Sequence, residues 1–122
     1  MCIRDRYSLG IIYYNGEEVP RDLMEAVKWF TKSAEMGREE AQALVGNCYA
    51  NGFGVAKNPI EGYAWLKIAI ANGNEVAKEK IKEIELSPEQ LIEAQSLSTE
   101  IQKRIEANVS HIRFLEASKL VY

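Results

Sequence analysis

The side chains that could do chemistry are few, and they do not cluster along the chain. His111 is the only histidine among the 122 residues, and the two cysteines are Cys2 and Cys48. Ser-His-Asp or Cys-His catalysis would have to use that histidine as its base, and nothing else in the sequence supports such a group. No phosphate-binding glycine loop, His-Glu-x-x-His motif or paired-cysteine spacing occurs. We therefore predict no catalytic residue, no metal site and no cofactor.

Charge and hydropathy argue against two classes of partner. The chain carries 15 basic and 18 acidic residues, and its lysines alternate with glutamates instead of forming a basic face. This balance argues against a nucleic-acid binder. No apolar run approaches the roughly 18 residues that a membrane-spanning helix needs, and residues 1–6 lack the apolar core of a signal peptide. We expect neither nucleic-acid binding nor membrane insertion.

The elements that must position these side chains are arranged as a repeat. Eight residues of the first half recur in the second half at a fixed offset of 36 residues, the distance from Gly10 to Gly46. Self-similarity at such a period indicates a stacked repeat protein. The recurring residues are Gly10, Tyr13, Asn15, Gly16, Val19, Glu25, Trp29 and Gly37 in the first copy, and Gly46, Tyr49, Asn51, Gly52, Val55, Glu61, Trp65 and Gly73 in the second.

Each copy predicts two helices, an A helix and a B helix, joined by a short loop. An Asn-Gly pair is a stop signal for each A helix, because both residues tolerate the left-handed conformation. A capping residue, Asp22 or Asn58, begins each B helix, and a glycine, Gly37 or Gly73, ends it. The predicted A helices are 7–15 and 39–50, and the predicted B helices are 23–36 and 59–71.

Two recurring residue types have predicted packing roles. Gly10 and Gly46 lie in the middle of A helices, where glycine costs about 1 kcal/mol relative to alanine. A cost that recurs indicates the close approach of a neighbouring helix. Trp29 and Trp65 are predicted to be large apolar anchors between units.

A third unit begins and then departs from the pattern. Glu75 and Ala77 match the start of the second A helix, but Lys82 and Glu85 stand where the glycine and tyrosine would recur. The segment Ser87-Pro88-Glu89-Gln90 then opens a last helix of about 20 residues with a capping box. A narrow apolar seam with alternating spacings of three and four residues follows, and we expect it to cap the open end of the stack. The seam residues are Leu91, Ala94, Ser98, Ile101 and Ile105.

These patterns divide the chain into five segments. Residues 1–6 do not fit the 36-residue register, and we expect a foreign start or a frayed helical turn there. Residues 109–122 either extend the last helix or form another short one. The predicted segments are the non-repeat start 1–6, the first repeat 7–38, the second repeat 39–74, the degenerate third repeat helix 75–86, and the capping helix with its tail 87–122.

The repeat resembles a known family. The first copy reads Leu9-Gly10-x-x-Tyr13-x-x-Gly16-x-x-Val19-x-x-Asp22-x-x-x-Ala26-x-x-Trp29, and the second reads Val45-Gly46-x-x-Tyr49-x-x-Gly52-x-Gly54-Val55-x-x-Asn58-x-x-x-Gly62-x-x-Trp65. Both are similar to the Sel1-like repeat, a relative of the tetratricopeptide repeat. Three positions depart from the family pattern: Glu18 replaces a glycine, Asn58 an aspartate and Gly62 an alanine.

The resemblance implies an all-α fold, a right-handed α/α solenoid of Sel1-like helix-turn-helix repeats with a C-terminal capping helix. It also implies a function class, because such proteins act as adaptors or scaffolds that bring other proteins together, often in bacterial envelope or signalling settings. We predict a protein or peptide partner, bound in a concave groove that the A helices line. The candidate partner-binding residues are Tyr14, Ile11, Asn47 and Ala50.

Three alternatives are open at this stage. Tyr14 could pack against residues 1–6 instead of anchoring a partner. The chain could be the structural C-terminal end of a longer repeat array. A β-lactam-hydrolysing enzyme of the Sel1-like type is the third, but those proteins carry a cysteine pair in each repeat, and Cys48 has no partner in its own unit. Two free thiols fit the cytoplasm, whereas a truncated N-terminus would fit the periplasm.

Overall fold

Six helices form the described part of the chain, which comprises residues 3–16 and 22–121 of a computed structural model, with side chains for residues 7–16 and 22–116. No strand occurs within those ranges, and the predicted all-α fold is confirmed. The predicted loop 17–21, with Glu18 and Val19, lies outside them, as does Cys2. The helices are α1 (Ile3–Asn15), α2 (Leu23–Glu35), α3 (Glu39–Asn51), α4 (Pro59–Ala71), α5 (Glu75–Ile81) and α6 (Pro88–Val121).

The sequence repeat is also a repeat of hydrogen bonds. The Asp22 backbone N–H donates to the Tyr13 carbonyl (3.0 Å), and the Asn58 N–H donates to the Tyr49 carbonyl (2.8 Å). These bonds tie the start of each B helix to the end of its A helix. Both capping side chains accept from the backbone N–H three residues later, at 3.2 Å in each copy, as the capping prediction requires.

The helix ends agree between the copies as well. Gly16 and Gly52 end the A helices with φ of 71° and 77°, and Gly37 and Gly73 follow the B helices with φ of 99° and 96°. These left-handed conformations favour glycine, because a Cβ atom would crowd the following carbonyl.

The glycines in the middle of the A helices allow close helix packing, as predicted. A Cβ atom built on Gly10 would lie 2.6 Å from the Phe30 ring, and one on Gly46 would lie 2.7 Å from Leu66 Cγ. Phe30 and Leu66 occupy equivalent positions in α2 and α4. The glycine therefore receives a bulky B-helix side chain in both copies, which a methyl group would displace.

Helix α4 is buried on several sides. Helix α6 covers the side of α4 that corresponds to the exposed side of α2. In α2, the outward positions hold the exposed side chains of Lys28 and Lys32. The equivalent residues of α4 are Ala64 and Ile68, and both are buried. The seam residues of α6 that are buried in this packing are Ala94, Ser98, Ile101 and Ile105.

Gln42 is a buried polar residue that sequence analysis did not identify. Its Nε2 donates to the Ala34 carbonyl (3.1 Å), and its Oε1 accepts from Asn72 Nδ2 (2.9 Å). In addition, Asn108 Nδ2 of α6 donates to the Glu35 carbonyl (3.0 Å). These side-chain amides add hydrogen bonds to carbonyls in the last turn of α2, where the Ala34 carbonyl also accepts from the Gly37 backbone N–H at 3.0 Å. The network joins α2, α3, α4 and α6 at one end of the stack.

Two predicted helix lengths are wrong. Helix α6 has 34 residues instead of about 20, because the sequence after Pro88 contains neither glycine nor proline and is rich in helix formers. The tail thus extends the helix, which was one of the two alternatives. Helix α1 begins at Ile3, four residues before its predicted start. The capping box of α6 is confirmed by reciprocal bonds between Ser87 and Gln90 at 3.0 and 3.2 Å.

The reactivity of the Cys48 thiol is a measure of how tightly α3 is packed. Cys48 is 3% exposed, and burial raises the pKa of its thiol from 9.0 to about 11. In a Cys2→Ser chain at pH 8, we expect Ellman's reagent to modify Cys48 only as fast as the chain unfolds. Modification at the rate of a free thiol would contradict this prediction.

The same pKa shift predicts a pH dependence of stability. Between pH 9 and pH 11 the unfolded chain ionises this thiol, whereas the folded chain keeps it protonated. The free energy of unfolding should therefore fall as the pH rises through this range, by about 2 kcal/mol relative to a Cys2→Ser, Cys48→Ala control. Urea titrations of the two variants at each pH measure the difference, and parallel curves would count against the assignment.

Candidate functional site

The candidate site is a groove between α1, α3 and α5, the three A-type helices. Its volume is about 240 Å³, and carbon atoms make up most of its wall. We call it the A-helix groove. The residues that line it are Tyr7, Glu40, Ala43, Leu44, Asn47, Asn74, Val76 and Lys80.

The aromatic wall of the groove is held by contacts behind it. The Tyr7 ring lies 5.7 Å from the Phe30 ring, centroid to centroid, and the Arg38 guanidinium lies 4.0 Å from the Tyr7 centroid. Arg38 also pairs with Glu40, at 3.2 Å. Because cation–π and aromatic contacts fix the ring from two directions, Tyr7 forms a rigid wall of the groove.

The opposite wall combines an apolar and an amide group. Val76 is 60% exposed, which leaves most of its surface available for contact. Asn47 Oδ1 accepts from Asn51 Nδ2 at 2.9 Å, and among the described residues none accepts from the Asn47 NH₂ group. This amide has two N–H donors, so the groove can bind an apolar side chain and one carbonyl beside it.

Of the four candidate partner-binding residues, Asn47 lines the groove and three others lie elsewhere. Tyr14 is half-buried instead of exposed, because its ring packs on Phe30 with centroids 6.4 Å apart. Ile11 packs against the same core cluster. The Ala50 backbone lies against Gly62, where a Cβ atom would be 2.8 Å from the Ala50 nitrogen. Partner contacts of these residues stay a prediction.

Of the residues that line the groove, only Asn47 was predicted from the sequence; those missed are Tyr7, Glu40, Ala43, Leu44, Asn74, Val76 and Lys80. Asn74 caps α5 through a bond from the Ala77 N–H (2.9 Å), and its own side chain lines the groove. The signal was available, since an asparagine stands just before Glu75, where the third A helix begins. The exposure of Val76 could not be predicted from the sequence, because it depends on how α5 packs on α3 and α4.

The histidine and the described cysteine that were considered for chemistry lie on different helices. His111 is exposed on α6, and Cys48 is buried in α3. Within residues 3–16 and 22–121 there is no cluster of three or more histidine, cysteine or acidic residues that could hold a metal ion. In the same ranges, no helix is both long enough and apolar enough to cross a membrane.

These features define the class: an α-helical repeat protein in which α1 to α5 pack consecutively along the chain and α6 packs back on α4 and α2. The family model of the Sel1 repeat matches residues 6–37 and 39–74. The chain belongs to the Sel1 repeat family.

The chain spans only part of the length of the proteins that it is similar to. The chain is 35% identical over 80 residues to chitin synthase regulatory factor 3 of Schizosaccharomyces pombe, covering 64% of this chain and 9% of that protein. A Sel1 repeat protein from Oxalobacter formigenes superposes with a TM-score of 0.65 at 33% identity, over 67% of this chain and 62% of the other. A protective antigen present in uropathogenic Escherichia coli strains, with an SLR fold, superposes with a TM-score of 0.80 at 27% identity. The superposition covers 93% of this chain and 25% of the other.

Proposed function

We propose that the chain is a non-catalytic protein-interaction module that binds a peptide segment of another protein in the A-helix groove. The observation that carries this proposal is the groove itself, an apolar cleft with a fixed aromatic wall and an amide beside it. Rigid walls favour affinity, because little side-chain freedom is lost on binding. The name of the yeast relative, a regulatory factor, fits an interaction role.

The chemistry of the groove defines the segment that it suits. A single apolar side chain fits between Tyr7 and Val76, and the Asn47 amide can donate to a carbonyl of the segment. Lys80 and Glu40 lie at the lining on different helices. A segment with an acidic residue near Lys80 would be oriented by this charge, since Glu40 is already paired with Arg38.

Phage display of random peptides on the immobilised chain tests the proposal. We expect recovered peptides to share an apolar residue and to bind a Val76→Glu variant about tenfold more weakly or worse, since a contact of about 1.4 kcal/mol is lost. Ile92→Glu is the matched control. Ile92 is 68% exposed on α6 and does not line the groove, so this change should leave binding unaltered.

The contrary outcome is equally specific. Peptides that bind the wild type and Val76→Glu equally well, or failure to recover any peptide that depends on the groove, would contradict the assignment. A role as the C-terminal end of a longer array stays a prediction. The enzyme alternative gains no support, since Cys48 is a free, buried thiol and lacks the pairing of the β-lactam-hydrolysing proteins.

A further inference from the structure

The apolar seam of α6 continues along the helix beyond the part that packs on α4 and α2, which together with the other helices form the body of the protein. The alternating spacings of three and four residues that place Ile101 and Ile105 in the core extend to Asn108, Ile112 and Leu115. Within the body, Asn108 bonds the end of α2, and a Cβ atom on Gly37 would lie 3.2 Å from Val109 Cγ2. From Ser110 to Glu116, however, no side chain is buried.

The projecting segment is long enough to pair with another helix. Residues 110–121 of α6 span about 18 Å at a rise of 1.5 Å per residue. Ile112 is half-buried, and Leu115 is 46% exposed. Apolar residues at this spacing are the contacts that two packed helices interdigitate, so the occupant that suits this surface is a helix with the same spacing.

We propose that a second copy of this chain covers this projecting seam, with the two α6 helices antiparallel about a two-fold axis. In that arrangement Ile112 packs on the partner's Leu115, and Leu115 packs on the partner's Ile112. Each contact therefore occurs twice, as an isologous interface requires. A parallel pairing in register would bring the two bodies to the same level along the paired helices. They would collide there, because α4 of each copy already packs on Ile101 and Ile105.

The charges beside the seam fit the same pairing. With Ile112 opposite the partner's Leu115, Glu116 lies within about one helical turn of the partner's Arg113. Arg113 and Glu116 are both exposed in the single chain. Because of the two-fold symmetry, this pair of opposite charges would occur twice in the dimer. In addition, a cleft of about 320 Å³ borders Val109, Ser110 and Arg113, which leaves room at the edge of the body for the partner's helix end.

Sedimentation equilibrium of the full chain tests the proposal. We expect a dimer that dissociates on dilution, and a Leu115→Asp variant whose dissociation constant is about tenfold higher or more. Ile92→Asp is the matched control, because Ile92 is also an exposed apolar residue of α6 but lies outside the projecting segment. It should leave the dissociation constant unchanged.

Charge reversal separates this arrangement from other contacts. Arg113→Glu should weaken the dimer about two- to tenfold, since two exposed ion pairs become like-charge pairs. Adding Glu116→Arg to that variant should restore the wild-type constant. This pair of variants also decides the question if Leu115→Asp loses helical content. A chain that stays monomeric up to about 1 mM, or a dimer that ignores these changes, would overturn the proposal.

Discussion

Replacing Trp65 by alanine is expected to lower the free energy of unfolding by about 3–5 kcal/mol. Trp65 is 2% exposed and belongs to the core cluster that includes Phe30 of α2 and both Ile101 and Ile105 of α6. Its removal leaves a cavity between three helices that cannot all close on it. Since small domains have a total stability of about 5–15 kcal/mol, this change removes a large part of it.

Trp29→Ala is the matched control for this prediction. Trp29 occupies the equivalent position of the first repeat, but it is only half-buried, and Lys32 Nζ lies over its ring at 4.6 Å. Less apolar area returns to water when it is truncated, so its loss should be less than half that of Trp65→Ala. Urea unfolding followed by far-ultraviolet circular dichroism measures both variants. Equal losses would show that the ring contacts of Trp65 across helices do not stabilise the fold as described.

Local and periodic features of the fold could be predicted from the sequence. The helix ends follow from Asn-Gly pairs and capping residues whose conformational preferences act within a few residues. The close contacts of Gly10 and Gly46 follow from a recurring local cost that only packing explains. Because both units carry these signals at one offset, the helix ends and glycine contacts predicted from the first copy were predicted again from the second.

Features that depend on distant segments could not be predicted. The buried amide of Gln42 bonds residues of two other helices, and nothing in its neighbourhood distinguishes it from a surface glutamine. Tyr14 was predicted to be an A-helix residue that the core does not need, but its ring packs on the Phe30 ring of α2. The A-helix groove is lined by residues of three separate helices, and only the tertiary packing brings the exposed Val76 to the same groove as Tyr7 and Leu44.

Replacing Gly54 by alanine is expected to destabilise the chain by about 2–5 kcal/mol. Its φ is +76°, a left-handed conformation that costs an L-residue about 1–2 kcal/mol. Moreover, a Cβ atom there would collide with the Leu23 carbonyl oxygen and lie 2.6 Å from the carbonyl carbon. These atoms are backbone in the first turn of α2, so no rotamer change relieves the collision, and overpacking adds about 1–3 kcal/mol.

Gly52→Ala isolates the part of this effect that belongs to packing between repeats. Gly52 has nearly the same φ, +77°, but the nearest atom to its added methyl would be Lys57 Cβ, at 3.3 Å in the same loop. Gly52→Ala should therefore show mainly the conformational cost, and Gly54→Ala should exceed it by the collision with α2. Thermal and urea unfolding of both variants give the difference. If the two variants lose the same stability, the loop of the second repeat does not depend on its close approach to Leu23. If Gly54→Ala loses more, that approach sets how the second repeat stacks on the first.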